Sequence, residues 1–176
     1  MDTQLLISDL RRTADEFIKL VSGFNDEHFN TQPFEGSWTP AQVADHILKA
    51  TGGLPDGRTE KAERPIDQFV APLEALFLNF GEKYKSPDFV TPDAGPFEKS
   101  RILIALEETK ENNIVVASTR DLSALCVEFE FPTIGYLTRY EWFKFFVVHM
   151  KRHIYQLANM MAAINYQPTT MDSRRY

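Results

Sequence analysis

The chain has 176 residues, of which 43% are hydrophobic and 25% charged, and a formal net charge of −6 at pH 7. This length and composition predict one soluble globular domain that can bury a core without disulfides, and no apolar run approaches the roughly 20 residues that span a bilayer. The acidic balance argues against non-specific nucleic-acid binding, and the single cysteine, Cys126, excludes an internal disulfide and a Cys-rich zinc cluster.

The first predicted element is an amphipathic helix from Thr3 to Ser22. Apolar residues recur in it every three or four positions, and Gly23 follows as a suitable C-terminal cap. The stretch from Asp26 to Gly36 is polar and turn-rich, which predicts a loop. His28 lies in this loop, where we expect a solvated side chain.

A second helix is predicted to begin after Thr39 and to end near Thr51. Thr39 with Gln42 forms a capping-box pattern, and Pro40 occupies the first helical position. His46 lies beside the apolar face of this helix. Taken alone, such a residue is more often a buried, hydrogen-bonded histidine than a metal ligand.

A long, proline-rich connection follows from Leu54 to Pro96. Helical periodicity from Pro72 to Lys85 predicts an accessory helix within it, and connections of this length often cover functional sites. A third core helix is predicted from Phe97 to Ser118. Partial alternation from Ala124 to Phe131 predicts a short extended segment.

The last helix is predicted to start at a second capping box, formed by Thr138 and Glu141, and to reach Ile164. The tail from Gln167 to Tyr176 is polar, so we expect it to fray, which leaves residues 1–166 as a single domain. Four amphipathic helices joined by long connections predict an all-α four-helix bundle with its site between facing helices.

The last helix carries the strongest chemical signal. His149 and His153 are four residues apart, so a helix places both imidazoles on one face. Trp142 and Gln156 lie seven residues to either side of His149 and share its stripe. Imidazole is a common ligand of zinc, nickel, copper and iron, but two ligands rarely make a stable site. We expect His46 to supply the third.

The apolar residues near these histidines are predicted to be core. Trp142, Phe143, Phe145 and Phe146 cover both faces of a central helix, although some of them can still line a pocket. Cys126 lies between Leu and Val and fits a small core residue better than a nucleophile.

The sequence offers no confident general base beside the histidines. Asp45 is adjacent to His46, but neighbouring helical residues point about 100° apart, so we expect it to face solvent or Lys49. Glu141 is expected to be occupied by capping. Gln156 fits a hydrogen bond to a pocket group or to a ligand ring.

With its helices placed, the sequence resembles the DinB superfamily, whose DinB-like and YfiT-like members are described as metal-dependent hydrolases. The resemblance is carried by three stretches: Ser37–Ile47 (SWTPAQVADHI), Pro132–Gly135 and Thr138–Gln156. It implies a four-helix bundle in which one histidine of the second helix and an H-x-x-x-H pair of the last helix bind a divalent metal. The matching residues here are His46, His149 and His153. The connection from Leu54 to Pro96 shows no family-specific feature.

The resemblance also bears on function, because characterised relatives include thiol-dependent transferases and isomerases that act with bacillithiol or mycothiol. A three-histidine site on zinc or nickel leaves positions open for a water, whose pKa can fall to about 7, or for a thiolate. We therefore expect a metal-dependent thiol S-transferase or hydrolase. Two alternatives remain: a bundle that binds metal or another ligand without turnover, as in a stress-related module, and a structural domain whose histidines are core residues.

The expected partners follow from this interpretation. They are a small-molecule substrate or a low-molecular-weight thiol, and neither a nucleic acid nor a membrane. The charged N-terminal residues are unlike a secretory signal, which favours a cytoplasmic protein. An exposed apolar helix face would support a homodimer, which the sequence leaves open.

Overall fold

The computed structural model describes residues 2–82 and 84–165. Within them lie six α-helices and a two-stranded sheet. The helices are α1 (Thr3–Gly23), α2 (Asp26–Phe29), α3 (Pro40–Thr51), α4 (Val70–Phe77), α5 (Lys99–Thr119) and α6 (Arg139–Asn165). The antiparallel strands are β1 (Thr59–Lys61) and β2 (Ala124–Cys126), with Glu60 opposite Leu125, and a 3₁₀ turn covers Asp88–Val90. The predicted tail, Gln167–Tyr176, lies outside the described residues.

The four long helices, α1, α3, α5 and α6, form a bundle, which confirms the predicted fold class. α1 packs mainly against α5 and α6, and α3 packs against the same two helices, so α1 and α3 occupy opposite corners. α4 is the predicted accessory helix and lies against α6. None of the described helices has the length and apolar character needed to cross a bilayer.

Both predicted capping boxes are confirmed. Thr39 Oγ1 accepts from the Gln42 N–H at 3.1 Å, and Gln42 Oε1 accepts from the Thr39 N–H at 3.0 Å. At the start of α6, Glu141 Oε2 accepts from the Thr138 N–H at 2.8 Å, and Thr138 Oγ1 accepts from the Glu141 N–H at 3.2 Å. These local pairs fix where the two helices that carry the histidines begin.

Several boundaries differ from the predictions, beginning with α1, which includes Gly23 and has Phe24 as its C-cap. The predicted loop at 26–36 opens with the single turn α2, because the Asn25 side chain accepts from the His28 N–H at 2.8 Å and caps it. The accessory helix, predicted at Pro72–Lys85, spans Val70–Phe77. It tolerates Pro72 in its first turn, and it ends where Arg152 takes the carbonyls of Phe77 and Asn79.

Another difference concerns α5, which begins two residues later than predicted. The Asn30 side chain accepts from the Phe97 N–H at 2.8 Å and donates to the Phe97 carbonyl at 2.9 Å, which holds Phe97 outside the helix. The predicted extended segment, 124–131, is present only as β2, Ala124–Cys126. β1, its partner strand, has three exposed residues and no alternation that would predict it.

The core contains the aromatic run of α6 as predicted, with Trp142, Phe143, Phe145 and Phe146 all buried. Cys126 is also fully buried, and burial raises the pKa of its thiol to about 12. The thiol is therefore protonated at neutral pH, which agrees with a packing role.

Candidate metal centre

Three histidines meet where α3 faces α6. His46 comes from α3 and His149 and His153 from successive turns of α6, and their side chains form one cluster. Nε2 of His149 lies 3.0 Å from Nε2 of His46 and 3.1 Å from Nε2 of His153. The residues are only 3%, 6% and 6% exposed, respectively. The structure thus brings the three predicted residues together in the interior.

Two of the rings are oriented by hydrogen bonds on their outer nitrogens. Nδ1 of His46 lies 2.7 Å from the carbonyl oxygen of Val90, and Nδ1 of His153 lies 2.7 Å from Oε1 of Gln156. Because an oxygen of this kind only accepts, each Nδ1 carries the proton and each Nε2 presents a lone pair. Such outer partners fix the tautomer of a metal-binding imidazole and raise its basicity.

His149 is held differently. Its Nδ1 is buried and has no hydrogen-bond partner among the described residues. The ring instead stacks on Phe145, with centroids 5.0 Å apart and planes 26° apart, and it also contacts the ring of Phe77 at 5.1 Å. Packing between two aromatic rings therefore sets the orientation of His149.

The proton count of the cluster fits a bound cation. With Nδ1 protonated on His46 and His153, the Nε2 of His149 can bring at most one proton to two close nitrogen–nitrogen contacts. Two imidazole nitrogens bound to one zinc ion lie about 3 to 3.5 Å apart, since each zinc–nitrogen distance is about 2.1 Å. The observed separations of 3.0 and 3.1 Å therefore suit ligands that share one ion.

Burial keeps the cluster neutral. Desolvation lowers the pKa of His46, lowers that of His149 well below its usual value, and lowers that of His153 to about 3. The neighbouring histidines lower the pKa of His149 further, because a second positive charge in the cluster is unfavourable. Neutral imidazole is the form that binds metal, so protons compete little with a cation here.

The other two predicted site residues occupy different surroundings. Gln156 contacts His153 directly, as described above. Trp142 precedes Phe145 on α6, and the centroids of the two rings are 5.6 Å apart. Its indole N–H has no acceptor among the described residues. Trp38, which the sequence did not single out, lies beside the histidine cluster, with its ring centroid 5.1 Å from that of His46.

Neither nearby carboxylate is free to act as a base. Lys49 binds Asp45 at 3.0 Å, as expected, and Asp45 also accepts from the Asp93 N–H at 2.9 Å. Glu141 is fully buried and accepts from both terminal nitrogens of Arg64 at 2.7 Å, in addition to its capping role. The cluster itself comprises three imidazoles and no carboxylate.

The connection between α3 and α5 covers this centre, which the sequence did not predict in detail. It supplies the Val90 carbonyl, the Phe77 ring over His149, and Arg64 against Glu141. The general expectation that a long connection covers a site was the only signal available. Backbone carbonyls leave no mark in a side-chain pattern.

Comparison with known proteins agrees with this architecture. The family model described as the DinB superfamily matches residues 9–157. The fold is similar to that of a solved Bacillus subtilis protein, reported as "YfiT from Bacillus subtilis is a probable metal-dependent hydrolase with an unusual four-helix bundle topology". That match has a TM-score of 0.62 at 15% sequence identity and covers 94% of this chain and 89% of the other. No curated protein matches the chain. The extent of the family match shows that the chain belongs to the DinB superfamily.

Proposed function

We propose that His46, His149 and His153 bind one divalent metal ion through their Nε2 atoms and that the protein uses this centre to activate a nucleophile toward a small-molecule substrate. The observation that carries the proposal is the convergence of three neutral imidazoles, with Nε2 separations of 3.0 and 3.1 Å in a buried site. Imidazole donors suit zinc and nickel, and we propose one of these two as the native metal.

The protein's own contribution is to orient the ligands and exclude water. The Val90 carbonyl and Gln156 hold two rings by hydrogen bonds, while Phe77 and Phe145 hold the third and keep its surroundings apolar. The chemistry that a divalent ion supplies when bound in such a site is Lewis-acid activation of a thiol or a water.

Among residues 2–82 and 84–165 no carboxylate joins the cluster, and this favours a thiol nucleophile over water. Water hydrolysis is commonly assisted by a positioned protein base, whereas a thiol has a pKa near 8.5 and needs less help to lose its proton. We therefore propose a thiol S-transferase first and a hydrolase second. The report of YfiT as a probable metal-dependent hydrolase supports hydrolysis as the second reaction.

Elemental analysis of protein purified without chelator tests the metal. We expect close to one zinc or nickel per chain, a large loss in His149→Ala, and near-complete loss in the variant that combines His46→Ala, His149→Ala and His153→Ala. His28→Ala is the matched control, because it removes the one histidine outside the cluster. Full metal content in the triple variant would place the site elsewhere and contradict the proposal.

A second candidate function is metal or ligand binding without turnover. The observation that favours it is the closed state of the centre, whose three histidines are at most 6% exposed. A stored or structural ion needs no route for a substrate. Metal content near one per chain together with no thiol-transfer or hydrolytic activity would favour this candidate.

A further inference from the structure

The geometry points to the end of α4, residues 77–82, as a movable cover over His149 of the histidine cluster, with Arg152 as the residue that holds it closed. This inference deepens the proposed function and rests on it, since a route to the histidines matters only if they take a ligand. Arg152 is a positioning residue in this account, because it acts through the segment that it holds.

The cover is formed by the ring of Phe77. Its centroid lies 5.1 Å from that of His149, 5.0 Å from that of Phe145 and 6.2 Å from that of Phe131. Phe77 thus packs between the histidine cluster and the aromatic core. A molecule larger than an ion that approaches His149 from this side has to displace the Phe77 ring.

Arg152 fastens this segment by its backbone. Nη1 of Arg152 donates to the carbonyls of Phe77 at 3.2 Å and Asn79 at 2.9 Å, and Nη2 donates to the carbonyl of Glu82. The Phe77 carbonyl lies in the last turn of α4, where no intrahelical donor remains for it, and the carbonyls of Asn79 and Glu82 follow the helix. One guanidinium, with five donors in a fixed fork, therefore holds the end of α4 against α6.

Beyond Leu78, which packs against the core, the remaining contacts of the segment are at the surface. Phe80 stacks on Tyr155 with centroids 4.4 Å apart, but these residues are 43% and 48% exposed. The guanidinium of Arg152 also lies 5.2 Å from the ring of Tyr84. Contacts of this kind can open without exposing the core, because water already reaches much of both rings.

The start of α4 is anchored in a different way. The Leu73 side chain is fully buried, and the Phe69 N–H donates to Glu141 at 2.7 Å inside the Arg64–Glu141 pair. α4 is therefore fixed in the core at its start, whereas of residues 77–82 only Phe77 and Leu78 pack against the core and residues 79–82 are exposed. This asymmetry lets residues 77–82 move while the bundle stays folded.

The sequence of α6 links the cover to the ligands. Arg152 and Tyr155, which hold residues 77–82, flank His153 on the same helix. The residues that hold the cover and the proposed ligand His153 thus lie within one turn of α6.

Chemical modification of the metal-free protein tests the cover without requiring metal or activity. Diethyl pyrocarbonate acylates neutral imidazole, and peptide mass spectrometry resolves the rate at each histidine. In Arg152→Lys the positive charge stays, but an ammonium cannot span three carbonyls. We expect modification of His149 and His153 to accelerate roughly tenfold, the change that corresponds to losing one hydrogen bond to a charged group.

Two controls separate opening from unfolding. Lys151→Ala changes the neighbouring residue of α6 and should leave the rates at the wild-type level, while His28, outside the cluster, serves as an internal reference in every sample. Equal rates in wild type and Arg152→Lys would overturn the inference. So would a parallel acceleration at His28, because that result shows general destabilisation. The assay uses metal-free protein, so the modification rates test the cover even if the protein proves not to bind a metal.

Discussion

Gln156 accepts a hydrogen bond from the Nδ1–H of His153 over 2.7 Å, three residues further along α6. This bond turns the Nε2 lone pair of His153 toward the other two histidines. Removing an outer partner of this kind typically costs tenfold to a hundredfold in metal affinity. We therefore expect Gln156→Ala to weaken zinc or nickel binding by about tenfold or more, measured by competition with a chromophoric chelator.

The control for this prediction is Asn159→Ala, which removes an exposed amide from the same helix. It should leave the metal affinity unchanged. Equal affinities in Gln156→Ala and wild type would show that packing alone orients His153.

Arg64 and Glu141 form a buried pair whose loss should destabilise the fold. Glu141 is fully buried and receives both terminal nitrogens of Arg64 at 2.7 Å. Arg64→Ala leaves this carboxylate without its cation, so we expect the free energy of unfolding to fall by about 3–5 kcal/mol in urea denaturation. Arg101→Ala removes the exposed pair with Glu98 and should change it by less than about 1 kcal/mol. A loss in Arg64→Ala no larger than that in Arg101→Ala would contradict the prediction.

The histidines and caps were predictable because their signals are local. His149 and His153 reveal their shared face through a spacing of four, and Thr138 and Glu141 form a pattern within one turn. His46 required more, since only the family resemblance and its position beside an apolar helix face joined it to the pair.

The surroundings of the site could not be predicted because their partners are distant in sequence. Glu141 caps α6 as predicted, but it also forms an ion pair with Arg64, 77 residues away. The Val90 carbonyl reaches His46 across 44 residues, and any residue type could supply it. Arg152 stands between the two histidines of α6, but its three acceptors are backbone atoms of a connection whose path the sequence does not specify.

Burial of the histidines predicts that the metal-free protein loses stability in acid. The unfolded chain binds a proton at each histidine below about pH 6.5, whereas the folded-state pKa is lowered, to about 3 for His153. The stability contributed by these neutral rings is present above pH 6.5 and is lost as pH falls toward the folded pKa. Each such histidine lowers the free energy of unfolding by about 2 kcal/mol as the pH falls from 6.5 to 5.

Urea denaturation of the metal-free protein at pH 7.5 and at pH 5 measures this loss. His153→Gln removes one of the groups that titrate only in the unfolded chain, so the difference between the two pH values should shrink by about 2 kcal/mol. An unchanged difference would show that His153 takes up its proton in the folded state over this range.

The last prediction concerns the nucleophile. The described part of the chain adds no carboxylate to the cluster, and the only cysteine of the sequence is buried with a thiol pKa raised to about 12. A reacting thiol must therefore come from solution. Metal-loaded protein should accelerate conjugation of a low-molecular-weight thiol, such as bacillithiol or glutathione, to monochlorobimane, followed by fluorescence. His153→Ala should abolish the acceleration, and Cys126→Ser should leave it unchanged.

Three results distinguish the candidate functions in this assay. A metal-dependent rate with one thiol and none with ester or amide substrates supports the transferase. If the same preparation turns over esters or amides, and no thiol is conjugated faster than the uncatalysed background, the hydrolase replaces the transferase, because the nucleophile is then water. If neither class reacts while metal content stays near one per chain, binding without turnover becomes the better account, since the centre is then occupied and the nucleophile that it would activate is missing.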